Sequence, residues 1–157
     1  MVHRESANLL PKSTSISHTL NNLRGFKLAH LNIASIPKHI DQLKVLLLNK
    51  PVDIFSISET RLDDAISSEE INIPGYEIFR KDRSRTGGGV VLYIRNVFNI
   101  FDRSKDVPQN LEAICVEIIK PKAKPFLVTT QCFHNRNPDF LFCRLIFLIF
   151  PDIFICN

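Results

Sequence analysis

From Phe26 onward the apolar positions follow two different periods. "FKLAHLNI" is mainly apolar and predicts a strand that ends on Asn32. "SIPKHIDQLKVLLLNKP" changes to helical spacing, with Ile36, Ile40, Leu43 and Leu47 on one stripe. Ser35 is placed to cap that helix, Pro37 suits its first turn, and Asn49 with Pro51 forms a stop. "DIFSIS" then returns to a short apolar run of strand type. Strand, helix and strand make a β-α-β unit, whose two strands are expected to be parallel and joined right-handed.

The next segment, "TRLDDAISSEEINIPGYE", is polar and turn-rich, and Pro74 with Gly75 closes it. "YEIFR", "VVLYIR", "FNIFD", "LEAICVEII" and "PFLVTT" are further strands with short connections, and "KDRSRTGGG" is a loop between the first two. Short connections favour antiparallel pairing, so the whole predicts an α/β fold with mixed sheets. Both ends of the chain break this pattern. Residues 1–24 are rich in Ser, Asn and Thr without a period and are expected to form a flexible leader. Residues 131–157 form a divergent apolar tail. Seven of the twelve phenylalanines fall between Phe126 and Phe154, and after Lys124 only Arg136, Asp139, Arg144 and Asp152 are charged. This tail is expected to pack poorly and expose apolar side chains. Residues 25–130 are left as the folded domain.

A length of 157 residues suits one domain and can bury a core without disulfides. None of the four cysteines stands in a C-x-x-C pair, so they are expected to be free thiols in a reducing compartment, nucleus or cytoplasm, with no zinc site. No apolar h-region of a signal peptide is visible in residues 1–25. The run "LIFLIF" is far shorter than the roughly 20 apolar residues of a membrane span, and no membrane partner is expected. A net charge of +4 permits a nucleic-acid partner without requiring one.

Glu59, in "SISET", poses the chemical question, because a strand that looks buried delivers a carboxylate to its own end. Such a charge needs a basic side chain, water or a metal ion. In a β-α-β unit both strands end on the same edge, where open α/β sheets place ligands, so Asn32 and Glu59 are expected to converge there. The structural alternative is an asparagine that closes a turn and a glutamate that caps a loop or pairs with Arg61. Gly87-Gly88-Gly89 would let a backbone approach a phosphate. No G-K-[ST] follows, however, and a hairpin-like connection is the preferred reading. Arg80, Lys81, Arg83 and Arg85 form a basic loop suited to phosphate contacts or simply to solvent, and Asp82 can pair with an arginine locally. His30 reads as a core or edge residue of its strand, and His39 as exposed on the helix.

Taken in order, "LNIASIPKHIDQLKVLL", "VDIFSISETRL" and "IPGYEIFRKDRSRTGGGVVLYIR" resemble the N-terminal part of the endonuclease of non-LTR (LINE-type) retrotransposons. That endonuclease accompanies a reverse transcriptase and belongs to the endonuclease/exonuclease/phosphatase superfamily, with the apurinic/apyrimidinic endonucleases and DNase I. The likeness runs from about Phe26 to Thr130. It implies a truncated four-layer α/β sandwich, two mixed sheets face to face with helices outside. It also implies metal-assisted hydrolysis of DNA phosphodiesters. By the resemblance, Glu59 binds the divalent cation, usually Mg²⁺, and Asn32 helps order the site. No small-molecule cofactor is implied. DNA is the implied partner; Arg80, Arg83 and Arg85 are candidate contacts to it only by the basic character of their loop.

The departures from the family pattern are equally specific. The tyrosine of a Y-x-P-P or Y-x-P-N turn is missing from "TTQCFHNRNPDF", where only Pro138 hints at that turn. No G-D-F-N-like motif and no S-D-H motif occurs within the 157 residues, and His134 does not stand in the S-D-H context. The resemblance therefore implies a fragment of a Mg²⁺-dependent DNA endonuclease that is inactive as it stands. A non-catalytic nucleic-acid-binding remnant and a relic without function are the alternatives. A phosphatase branch of the superfamily is a third, against which "IPGYEIFRKDRSRTGGG" speaks.

Overall fold

The computed structural model describes residues 25–49, 51–134 and 141–149. The flexible leader expected over residues 1–24 lies outside them, as do residues 150–157. Eight strands, one α-helix and one 3₁₀ turn follow in order. They are β1 (Leu28–Asn32), α1 (Ile36–Asn49), β2 (Ile54–Ser58), β3 (Tyr76–Lys81), β4 (Val90–Arg95), β5 (Asn99–Asp102), a 3₁₀ turn (Ser104–Asp106), β6 (Glu112–Ile119), β7 (Phe126–His134) and β8 (Leu141–Ile149). The fold is α/β. One four-stranded sheet has the order β1-β2-β4-β3 and the other β5-β6-β7-β8. β1 and β2 are parallel, and every other pair is antiparallel.

Three layers account for the described residues. β2 and β4, central in the first sheet, are buried on both faces, which is why "IFSIS" and "VVLYI" show little polar alternation. Phe55, Ile57, Val91 and Tyr93 face α1 and pack with its Ile36, Leu43 and Leu47. Ile40 is partly buried against the same cluster, so the expected stripe is the packed one. The polar segment after Glu59 also contributes to this layer. Its Leu62, Ile71 and Ile73 are buried beside the helix, and the Tyr93 hydroxyl donates to the Ile71 carbonyl at 2.7 Å. On the opposite face Ile54, Val90, Leu92 and Ile94 meet Ile114, Val116, Ile118, Phe126 and Val128 of the second sheet. An outer helix layer on the second sheet, as a four-layer sandwich has, is not present among the described residues.

Two local expectations need correction. Ile36, the first helical residue, donates its N–H to the Thr60 carbonyl at 2.9 Å, so the loop after β2 caps α1 where Ser35 was expected to. The expected division at residue 130 falls inside β7, which continues to His134. Leu141–Ile149 then pairs with it in register from His134↔Leu141 to Phe126↔Ile149. The apolar, β-prone run that looked foreign to the domain thus extends the second sheet as its edge strand, because sheet growth requires only backbone pairing and β-propensity.

Candidate metal centre

The carboxyl ends of β1 and β2 lie side by side. Asn32 is paired in register with Ser58, so Glu59 sits one residue beyond the position opposite Asn32. Strict alternation would aim Glu59 at the helix layer, with Phe55 and Ile57. The chain avoids this by taking a left-handed turn at Glu59, with φ 55°. The carboxylate instead enters the space between the sheets. There Oε1 lies 3.8 Å from the Cys132 Sγ of β7, and Oε2 accepts the Gly88 N–H at 3.0 Å.

Left-handed backbone is costly for residues with a Cβ, and it concentrates here. Five non-glycine residues have positive φ among the described residues. Ala34 (54°) and Ser35 (151°) follow β1, Glu59 (55°) and Arg61 (53°) follow β2, and only Lys122 lies elsewhere. Backbone strain of this kind persists where surrounding structure over-determines it, and it clusters at ligand sites.

Glu59 is 8 % exposed and forms no salt bridge among the described residues. The pairing with Arg61 that would have explained it structurally is not formed. An amide donor and a thiol contact only partly offset the desolvation of a carboxylate. The glycine run supplies that amide. Ser84 and Gly87 form an isolated antiparallel bridge, so the hairpin-like reading of the loop holds. The same loop also turns two consecutive amides onto carboxylates, Gly88 N–H to Glu59 and Gly89 N–H to Glu112. A Cβ on Gly88 would lie 2.5 Å from the Arg83 Cδ and 2.8 Å from Glu112 Oε1. Both side chains are long and can shift, so it is the left-handed backbone of Gly88, φ +79°, that favours glycine here. Sequence reasoning missed Glu112 and Cys132, which no motif marks; the parity of β7, with Val128 and Thr130 pointing inward, was the available signal for Cys132.

Asn32 and His30 are exposed on the edge strand β1, on the face that looks toward the second sheet. His30 sits on an exposed strand edge, with Nδ1 3.0 Å from the Ser56 Oγ and Nε2 3.4 Å from the Ser58 Oγ. The Ser56 Oγ in turn lies 2.7 Å from the Thr130 Oγ1, a buried hydrogen bond that ties the two sheets together. Ser56→Ala leaves the Thr130 hydroxyl buried without that partner and is expected to cost about 2 kcal/mol in urea unfolding. The double variant Ser56→Ala/Thr130→Val should lose clearly less than the sum of the two single variants.

The basic loop is tied to acidic partners. Arg80 pairs with Asp82 and also donates to the carbonyls of Ile66 (2.8 Å) and Asp63 (3.1 Å). Arg83 lies 3.6 Å from Glu112, and Arg85 2.6 Å from Asp63. These arginines anchor loops to one another. Cys115 is a free thiol on the outer face of β6, and burial raises its pKa, which makes it a poor nucleophile.

Compared with protein-family models and with curated protein sequences, the chain gives no match. The chemistry of the edge has to be judged from its own residues. No group of three or more His, Cys, Asp and Glu side chains able to hold a metal by themselves occurs among the described residues. Mg²⁺ does not require one, because it is commonly bound by one or two carboxylates, with water and phosphate oxygens in the other positions. A buried carboxylate without a cationic partner, beside an exposed asparagine at a strand edge, fits a one-carboxylate site of that kind.

Proposed function

We propose that the chain is part of a Mg²⁺-dependent DNA endonuclease of the endonuclease/exonuclease/phosphatase (DNase I-like) type, derived from a non-LTR retrotransposon, and that it lacks the groups needed for turnover. The observation that carries this reading is Glu59. The chain adopts left-handed backbone at the carboxyl end of β2 to turn a carboxylate into the space between two sheets, where no cationic side chain meets it. The ordered motifs around Asn32, Glu59 and Gly87-Gly88-Gly89 support the family assignment.

In this reading Glu59 holds the cation and Asn32 lines the position beside it. A bound Mg²⁺ would polarise a phosphate oxygen and stabilise charge developing on it. The Gly88 amide fixes the orientation of the carboxylate, and the second sheet, through Cys132, closes its rear. No side chain among these stands as a base for water. Mn²⁺ serves as the probe for the cation, since it takes similar oxygen ligands. Electron paramagnetic resonance is expected to show one Mn²⁺ per chain, competed by Mg²⁺ and lost in Glu59→Gln. Equal Mn²⁺ binding by the wild type and Glu59→Gln would refute the assignment of the cation to Glu59.

A further inference from the structure

Two buried side-chain polar atoms have no hydrogen-bond partner among the described residues, the Thr60 Oγ1 and the Arg61 Nε. They belong to consecutive residues and follow directly on Glu59. A native structure satisfies nearly all such atoms, so a pair of orphans at one place calls for an explanation. For Thr60 the packing provides one, because its hydroxyl presses on Gly89, where a Cβ would lie only 2.2 Å away. For Arg61 packing provides none. Six arginine side chains are described, and Arg80, Arg83, Arg85, Arg95 and Arg103 each form a salt bridge, whereas Arg61 forms none. Arg61 also stands on left-handed backbone, φ 53°, with its N–H held by the Gly88 carbonyl at 3.0 Å.

The edge therefore carries two opposite charges two residues apart, Glu59 and Arg61, that do not neutralise each other. A cation satisfies only the carboxylate and leaves the guanidinium. A cation bound together with a phosphate oxygen satisfies both, one charge each. We propose that Arg61 is the phosphate-binding residue of this edge, its Nε buried at the root of the guanidinium and its terminal Nη groups donating to a phosphodiester oxygen of DNA. The proposal rests on the reading of this edge as a phosphodiester site, and it moves the phosphate contact away from Arg80, Arg83 and Arg85. Guanidinium suits the role because its donors form a fixed fork that matches phosphate oxygens.

Binding of a fluorescein-labelled 12-base-pair duplex is measured by anisotropy over a salt series, in Mg²⁺ and separately in EDTA. The proteins compared are wild type, Arg61→Gln, Arg61→Lys, Glu59→Gln and Arg103→Gln. Arg103 pairs with Glu117 on the second sheet and controls for the loss of one positive charge. Arg61→Gln is expected to weaken binding about tenfold or more, the scale of one hydrogen bond to a charged group, and to reduce the salt slope by about one. Arg103→Gln should change affinity by less than about twofold, as a solvated charge far from the site. Arg61→Lys should retain part of the affinity, and it decides the matter should Arg61→Gln fail to fold, since Lys keeps the charge but not the fork. An effect of Arg61→Gln no larger than that of Arg103→Gln, Arg61→Lys equal to wild type, or no DNA binding by the wild type would overturn the proposal. Glu59→Gln separates the two readings. Loss of the Mg²⁺-dependent part of binding in that variant concerns the metal, whereas the Arg61 dependence in EDTA stands or falls without it.

Discussion

Supercoiled plasmid incubated with the purified 157-residue chain and Mg²⁺ is expected to stay supercoiled, to the same extent as with Glu59→Ala. Hydrolysis of a phosphodiester assisted by a metal needs a positioned cation, an activated water and stabilisation of the developing charge. In the proposed site Glu59 would supply one carboxylate for the first role and Arg61 one donor for the third. No described residue supplies the second. His30 is the histidine nearest the site in sequence and register, but both of its ring nitrogens are engaged with serine hydroxyls of β2. The G-D-F-N-like and S-D-H motifs of the resembled endonucleases do not occur in these 157 residues. Catalytic groups act as a unit, so removing one can cost nearly as much as removing all, and here several roles are vacant together. Gel separation of nicked from supercoiled plasmid decides the case. Nicking that disappears in Glu59→Ala would show that the site is complete after all.

The β-α-β unit was legible because its elements are long and periodic for their type, and because a right-handed crossover leaves one arrangement for parallel neighbours. That was enough to bring Asn32 and Glu59 to one edge. The direction of the Glu59 side chain was not legible. Period-two alternation assigns it to the helix layer, and only the left-handed turn at Glu59, which no glycine announces, reverses that. The glycine run was read as a connection, and it is one. Its second role, giving amides to Glu59 and Glu112, depends on which strands stack, and nothing local encodes that. The pairing of the basic loop was legible only in part. Asp82 lies in the loop itself and its local pairing with an arginine was readable, but Asp63 and Glu112 come from other segments and meet Arg85 and Arg83 only in the folded chain. The C-terminal apolar run looked foreign because its charge pattern changes, yet an antiparallel edge strand needs no particular charge pattern, only pairing along β7.

Gly89→Ala is expected to destabilise the protein by about 3 kcal/mol, and the loss should be separable into two parts. Gly89 has φ +85°, so any Cβ there costs about 1–2 kcal/mol of backbone strain. Gly75 has nearly the same φ, +87°, with nothing within 4 Å of a built Cβ, so Gly75→Ala reports the strain alone. At Gly89 the added methyl would also stand 2.2 Å from the Thr60 Oγ1 and 3.5 Å from the Thr60 Cβ. Thr60 cannot move aside easily. It is fully buried, β-branched and held at both backbone ends, its N–H by the Gly89 carbonyl at 3.3 Å and its carbonyl by Ile36 N–H at 2.9 Å. Overpacking of this kind adds about 1–3 kcal/mol. Urea unfolding of wild type, Gly75→Ala and Gly89→Ala gives the difference directly, and Gly89→Ala/Thr60→Ala removes the clash but keeps the strain. The double variant should return to within about 1 kcal/mol of Gly75→Ala, less whatever Thr60→Ala costs by itself. Equal losses for Gly75→Ala and Gly89→Ala would mean that the close approach of the glycine loop to the strand end of Glu59 does not constrain this residue.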